Sequence, residues 1–245
     1  MKALSILGVG LFMLTSAAVG ARLLLLWRRT RRLPELLLTI ALWCISVLGF
    51  ALGVTARLCA AGAGAPGPIV IAALCAEYVG CGALVVFAWR VFHPSESWAK
   101  GLAGVLLALM LAALLAEIGS GQFMHYADAG LISGPIVPLG LAARGLGPTW
   151  LAYECFRYHA MLRRRLELGL AELSVVHRVA LWGTATLSAS TGYAISVVHR
   201  AVFGTGLEAH AWALGSVSLL AFVSAIGVAL AFFPPPFYRR WVGEK

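Results

Sequence analysis

Glu77 and Arg144 are the residues whose setting points most directly to chemistry. Each is an ionisable side chain deep inside a long apolar run, Glu77 about nine residues into the third run and Arg144 about ten into the fifth. A charge at the centre of an apolar membrane helix costs about 2.5–3.5 kcal/mol on the insertion scale, so it is expected to face a partner or a wet cavity. Both runs cross in the same direction, and at about 1.5 Å per residue both side chains reach a depth of roughly 14–15 Å. Opposite charges at equal depth predict an ion pair between the third and fifth runs. Such a pair serves either as a binding or proton-coupled switch or as a clamp that fixes helix packing. Tyr78 and Tyr153 are placed to hydrogen-bond into the same region.

Two further runs carry polar or helix-breaking residues. The fifth holds Gly134-Pro135, Pro138, Gly140, Gly145 and Gly147-Pro148. Interior prolines free backbone carbonyls, so this run is either a moving part or a static kink. The sixth holds Thr184, Thr186, Ser188, Ser190, Thr191, Tyr193 and Ser196 beside Gly183 and Gly192. Small and hydroxyl residues favour close helix packing, or they line a wet cavity. Ser188, Thr191 and Tyr193 join Glu77, Arg144, Tyr78 and Tyr153 as the candidate ligand or switch residues.

The elements that must position these residues are membrane helices. The chain is 61% hydrophobic and 12% charged, against about 25% charged in an ordinary soluble domain. A water-facing surface cannot be made from so few charges. Continuously apolar runs of about 20 residues read as spanning helices. Seven such runs fall at about 3–27, 34–59, 68–92, 101–120, 134–158, 177–199 and 210–233. The expected fold is therefore all-α, a single transmembrane domain over 1–245 built as a seven-helix bundle.

Charge sets the expected orientation. Arg28, Arg29, Arg31 and Arg32 fill the first gap, Arg90 and Lys100 the third, and Arg157, Arg163, Arg164, Arg165 and Arg178 the fifth, while Arg239, Arg240 and Lys245 end the chain. The N-terminus and the remaining gaps hold only Lys2, Arg57 and Arg200. The positive-inside rule then places the N-terminus outside and the C-terminus in the cytoplasm. Trp27, Trp89, Trp98, Trp182 and Trp241 lie near the basic ends, as an interfacial belt requires. The first run resembles a signal peptide around Val19-Gly20-Ala21, but cleavage there would export the arginine cluster, so a retained first helix is expected. The segment Met161–Leu170 reads as an amphipathic extension along the membrane surface. Arg57 and Glu117, near outer ends, read as an interfacial pair or snorkelling side chains, and Glu154 as a partner of Arg157 or Arg90.

Several chemistries find little support. The net charge of +9 is spread over helix flanks, which fits anionic headgroups and not nucleic acid. His125, Asp128, His199, Glu208 and His210 share the outer side, yet none has a diagnostic metal spacing. Five cysteines within or at the edges of the runs read as small buried hydrophobes. The seventh run has no lysine for a retinal Schiff base, and no phosphate-binding or nucleophile-elbow motif occurs. No cofactor, metal or catalytic group is expected.

Arg163-Arg164-Arg165-Leu166-Glu167-Leu168-Gly169-Leu170, followed by Arg178-Val179-Ala180-Leu181-Trp182-Gly183, resembles a loop-to-helix junction of uncharacterised bacterial seven-helix membrane proteins. The exit Ala231-Phe232-Phe233-Pro234-Pro235-Pro236-Phe237-Tyr238-Arg239-Arg240-Trp241 resembles the end of the same proteins, and of seven-helix input modules that precede kinase or cyclase domains in bacterial sensors. The resemblance covers about a third of the chain and implies a sensory module of the bacterial cytoplasmic (inner) membrane. No output domain follows residue 245, so a signal is expected to pass to a separate cytoplasmic partner docking on Arg163, Arg164, Arg165, Arg239 and Arg240. A transporter or channel with a polar path at Glu77 and Arg144, or a structural subunit of a larger membrane complex, are the alternatives.

Overall fold

Long apolar runs with no alternation leave the backbone one economical way to satisfy its polar groups, the helix. The computed structural model describes residues 2–61, 67–121, 135–236 and 238, without the side chains of 2–6, 57, 58, 60 and 61. Among the described residues the chain is all-helical and has no strand. The α-helices are α1 (Lys2–Thr30), α2 (Leu33–Leu42), α3 (Phe50–Ala61), α4 (Gly67–Phe92), α5 (Ser97–Ser120), α6 (Ile136–Glu167), α7 (Leu173–Phe203) and α8 (Ala211–Phe232). A π-helical turn, Trp43–Gly49, joins α2 to α3 without a break.

The breaks follow local chemistry. Arg31 takes φ 56° and Pro34 sits in the first turn of α2, where its missing N–H is harmless. α7 ends at Gly204, whose φ of 64° suits a residue without Cβ and whose N–H caps the Arg200 carbonyl at 2.9 Å. The prolines after Phe233 stop α8, and Arg22 from α1 donates to the exposed Phe232 carbonyl and stacks on Phe233.

Among the described residues, five stretches are long and apolar enough to cross a membrane: Leu7–Thr30, Leu33–Ala56, Gly67–Phe92, Ser97–Ser120 and Ala211–Phe232. α6 and α7 are longer, at 32 and 31 residues, and more polar. The expected surface helix at Met161–Leu170 is not separate. α6 runs on through Glu167, because Arg163-Arg164-Arg165-Leu166-Glu167 are good helix formers, and the turn comes at Gly169 with φ 70°.

Neighbour relations close into a ring: α1, the α2–α3 rod, α4, α6, α7 and α8, which returns to α1. α5 lies outside this ring, against α4 and α6. Most of the tight core lies in the half toward the basic ends, where Val19, Leu38, Ala41, Val85, Ala88, Leu151 and Cys155 are buried. Small residues let the backbones meet there. A Cβ on Gly147 of α6 would lie 2.5 Å from the Cys81 carbonyl oxygen of α4, and one on Gly80 of α4 would lie 2.6 Å from Ile45 in the π turn.

This contact gives a matched test. Gly147→Ala forces α4 and α6 apart and is expected to cost about 1–3 kcal/mol. Gly101→Ala on α5 meets open space and is expected to gain about 0.5–1 kcal/mol from the lower backbone entropy of alanine. Melting temperatures in one detergent compare the two. Equal shifts would remove the close approach as a packing determinant.

Candidate functional site

Arg144 sits eight residues after Ile136, the first residue of α6, and its side chain is 5% exposed. Helical side chains lean toward the helix N-terminus, so the guanidinium reaches back toward the start of α6. There Nη1 donates to Glu77 Oε2 of α4 at 2.5 Å and Nη2 to Glu117 Oε1 of α5 at 3.3 Å. Nε donates to the Gly140 carbonyl one turn back, at 3.3 Å. Tyr78 completes the cluster. Its hydroxyl lies 2.9 Å from Glu117 Oε2 and 3.3 Å from the Gly140 carbonyl, and its ring sits 5.2 Å from the guanidinium carbon. One arginine thus ties three helices together through two carboxylates.

Two glycines make the space. A Cβ on Gly140 would collide with the Glu117 carboxylate, and one on Gly49 would lie 2.8 Å from Glu77 Cγ. Gly49 ends the π turn, so the irregular turn and the buried acid share one contact. Pro148 lies inside α6 and has no N–H for the Arg144 carbonyl four residues earlier.

Above this cluster, in the half of the ring away from the basic ends, lies a cavity of about 300 Å³. α1, the π turn and α3 to α8 contribute to its wall. Glu77, Glu117 and Arg144 form a polar floor, and Ser188, Tyr193 and Ser196 of α7 line one side. Phe12, Phe50 and Leu220 make an apolar side, with Phe12 and Phe50 edge to face at 6.4 Å. Arg200 and Glu208 also line the cavity, at the end away from that floor.

The expected residues are only partly assembled. Glu77, Arg144, Ser188 and Tyr193 meet at the cavity, and Tyr78 lies behind Arg144. Tyr193 turns its hydroxyl to Cys81 Sγ at 3.8 Å. Tyr153 does not join them. It is 63% exposed, because nine residues at 3.6 per turn carry it about half a turn away from Arg144. Thr191 is also outside the cavity wall, its hydroxyl satisfied by the Leu187 carbonyl at 2.9 Å. Thr184, Thr186 and Ser196 of α7 behave the same way, bonding their own helix backbone at Ala180, Trp182 and Gly192.

Glu117 corrects an expectation. It is 4% exposed and belongs to the buried Arg144 cluster, so it is not a side chain snorkelling at an interface. Arg57's side chain lies outside the described residues. Glu154 is 2% exposed and contacts the His93 ring at 3.0 Å and the Trp150 indole at 3.1 Å, with Arg157 farther off at 3.9 Å. At the opposite end His199 meets His210 at 2.9 Å. His125 and Asp128 lie outside the described residues, and among those described no three metal-ligating side chains converge. Arg163, Arg164 and Arg165 are exposed on the last turns of α6. Arg239 and Arg240 lie outside the described residues.

Comparison with protein-family models, curated proteins and solved structures finds no match for this chain.

The cluster predicts a graded mutational response. Arg144→Met leaves two carboxylates buried without their cation and is expected to cost about 3–5 kcal/mol. Glu77→Ala alone leaves Glu117 on the guanidinium and costs less. Combining Arg144→Met with Glu77→Gln and Glu117→Gln is expected to recover most of the folded yield, measured by gel filtration of the detergent-solubilised protein. A triple variant no better than Arg144→Met would show that the three groups do not compensate one another.

Proposed function

We propose that this chain is a receptor-like module of a bacterial cytoplasmic membrane, and that it takes a small molecule into the ring from the outer side. In this reading α6 and α7 cross the membrane with the five apolar stretches, giving seven spans with the N-terminus outside and the C-terminus in the cytoplasm. The basic ends of α1, α4 and α6 support that orientation.

The observation that carries the proposal is the asymmetry of the ring. Its outer half holds a cavity with a charged floor, and its inner half is closed by buried Val85, Ala88, Leu151 and Cys155. A pocket with a few convergent polar groups on an apolar wall is the ordinary form of a small-molecule site. A closed inner half suits a receptor better than a channel. Occupancy would bear on Arg144 and so on α6, whose far end presents Arg163, Arg164 and Arg165. Those arginines, with Arg239 and Arg240, are the proposed docking surface for a separate cytoplasmic partner.

A carrier is the second reading. One observation favours it: the ion-pair network joins α4, α5 and α6 at the cavity floor, where the barrier of an alternating-access protein would stand.

Gly192 of α7 lines the cavity, and a Cβ there meets open space. Gly192→Leu should therefore fill the cavity and leave folding intact. Native mass spectrometry of protein taken from its own membranes is expected to find a retained small molecule in the wild type and none in Gly192→Leu. A ligand at 100 times its Kd should also stabilise the wild type alone, by about 2.7 kcal/mol. Identical retention by the two proteins would overturn the cavity as the binding site. Flux of that molecule in proteoliposomes would select the carrier.

A further inference from the structure

We propose that the cavity selects a small amphipathic cation, a protonated or quaternary amine on a compact apolar body. This rests on the reading that the cavity binds a ligand, and it names the ligand's chemistry.

The guanidinium at the floor is that of Arg144, and it is committed. Each of its three nitrogens has a protein acceptor, on Gly140, Glu77 and Glu117, and its side chain is 5% exposed. An anionic ligand would have to displace a carboxylate from a buried ion pair. Such a displacement strands a charge in a poor dielectric. Glu77 is differently placed. Its side chain is 26% exposed and it lines the cavity, so the ionised group that the floor turns toward a ligand is a carboxylate.

The balance of charge agrees. Glu77 and Glu117 share one guanidinium at the floor, while Arg200 and Glu208 contribute one charge of each sign near the outer end. Among the described side chains the lining has one carboxylate in excess. Within an apolar wall such an excess is costly, and a monovalent cation relieves it. The wall also suits an ammonium group. Phe12, Phe50 and Tyr193 bring aromatic rings to the cavity, and aromatic faces hold quaternary ammonium ions. A bare metal ion fits less well, because no three ligating side chains converge among the described residues. The volume of about 300 Å³ limits the body to roughly one ring or a short aliphatic chain.

Three probes of one shape test this: benzyltrimethylammonium, its neutral isostere neopentylbenzene, and the anion phenylmethanesulfonate. Each is titrated calorimetrically into the full chain in zwitterionic nanodiscs. Gly192→Leu discs serve as the reference for partition into lipid. The expected result is one-to-one binding of the ammonium, lost in Gly192→Leu, at least tenfold tighter than the neutral probe, with no binding of the sulfonate. Glu77→Gln is expected to weaken the ammonium at least tenfold and to leave the neutral probe unchanged. Should Glu77→Gln fail to fold, the ranking of the three probes on the wild type decides alone. Sulfonate or neutral binding as tight as that of the ammonium, and sensitive to Gly192→Leu, overturns the cation assignment and leaves the cavity as a ligand site. No cavity-dependent binding of any probe, with a native molecule still retained by the wild type, overturns this inference alone. Failure of both measurements overturns the ligand reading with it.

Discussion

A guanidinium inside an apolar bundle must be compensated or the helix that carries it will not stay. Arg144 is compensated twice, by carboxylates from α4 and α5, and the surrounding structure follows from that arrangement. The acids need room, and Gly49 and Gly140 supply it. The second carboxylate needs a donor of its own, and Tyr78 supplies it. α5 lies outside the ring, yet Glu117 connects it to the charge that the ring encloses. A buried network of this kind specifies one arrangement of helices more than it adds stability, since an apolar replacement of equal shape can be as stable.

The two halves of the bundle solve different problems. Toward the basic ends, glycine and alanine bring the backbones together and leave no space beside Cys81, Val85 and Leu151. Without a hydrophobic drive between helices in lipid, this close fit is the main source of cohesion. Toward the other end the helices stand apart around the cavity, and the charged floor marks the boundary between the regions. The rigid half thus gives the polar floor a fixed base, as a preorganised binding site requires.

Much of this was legible in the sequence, and the failures have identifiable causes. Continuous apolar runs and their breakers located most helix ends within a few residues, although α6 runs on to Glu167, well past the expected end at 158, and the shared depth of Glu77 and Arg144 indicated their contact. Glu117 was hidden because residue counting places Cα atoms, not side-chain tips. It lies three residues before the end of α5, level with Gly140, and Arg144 reaches it by leaning toward its own helix start. Tyr153 was misplaced because depth was weighed without helical phase. The α7 hydroxyls advertised polarity that their own backbone absorbs. The π turn has no compositional mark in Trp43-Cys44-Ile45-Ser46-Val47-Leu48-Gly49. Its cause is tertiary: Trp43 packs into the space left by Gly20, and Ile45 against Gly80.

That π turn also has a bearing on how the chain tolerates change in length. A π turn accommodates one residue more than the α-helix around it, so the rod from Leu33 to Ala61 is a helix carrying an insertion. Removing one residue between Trp43 and Gly49 would leave an unbroken α-helix with α3 still in phase with α2, whereas straightening the turn to α-helix at full length would rotate α3 by about 100° against α2. Phe50, Gly53 and Ala56 would leave the cavity wall together, while α2 kept its packing on α4. The wide turn therefore absorbs the extra residue and keeps the two halves of one rod in phase. The shape of the cavity thus depends partly on the width of one turn, which Trp43 and Ile45 hold through their contacts at Gly20 and Gly80.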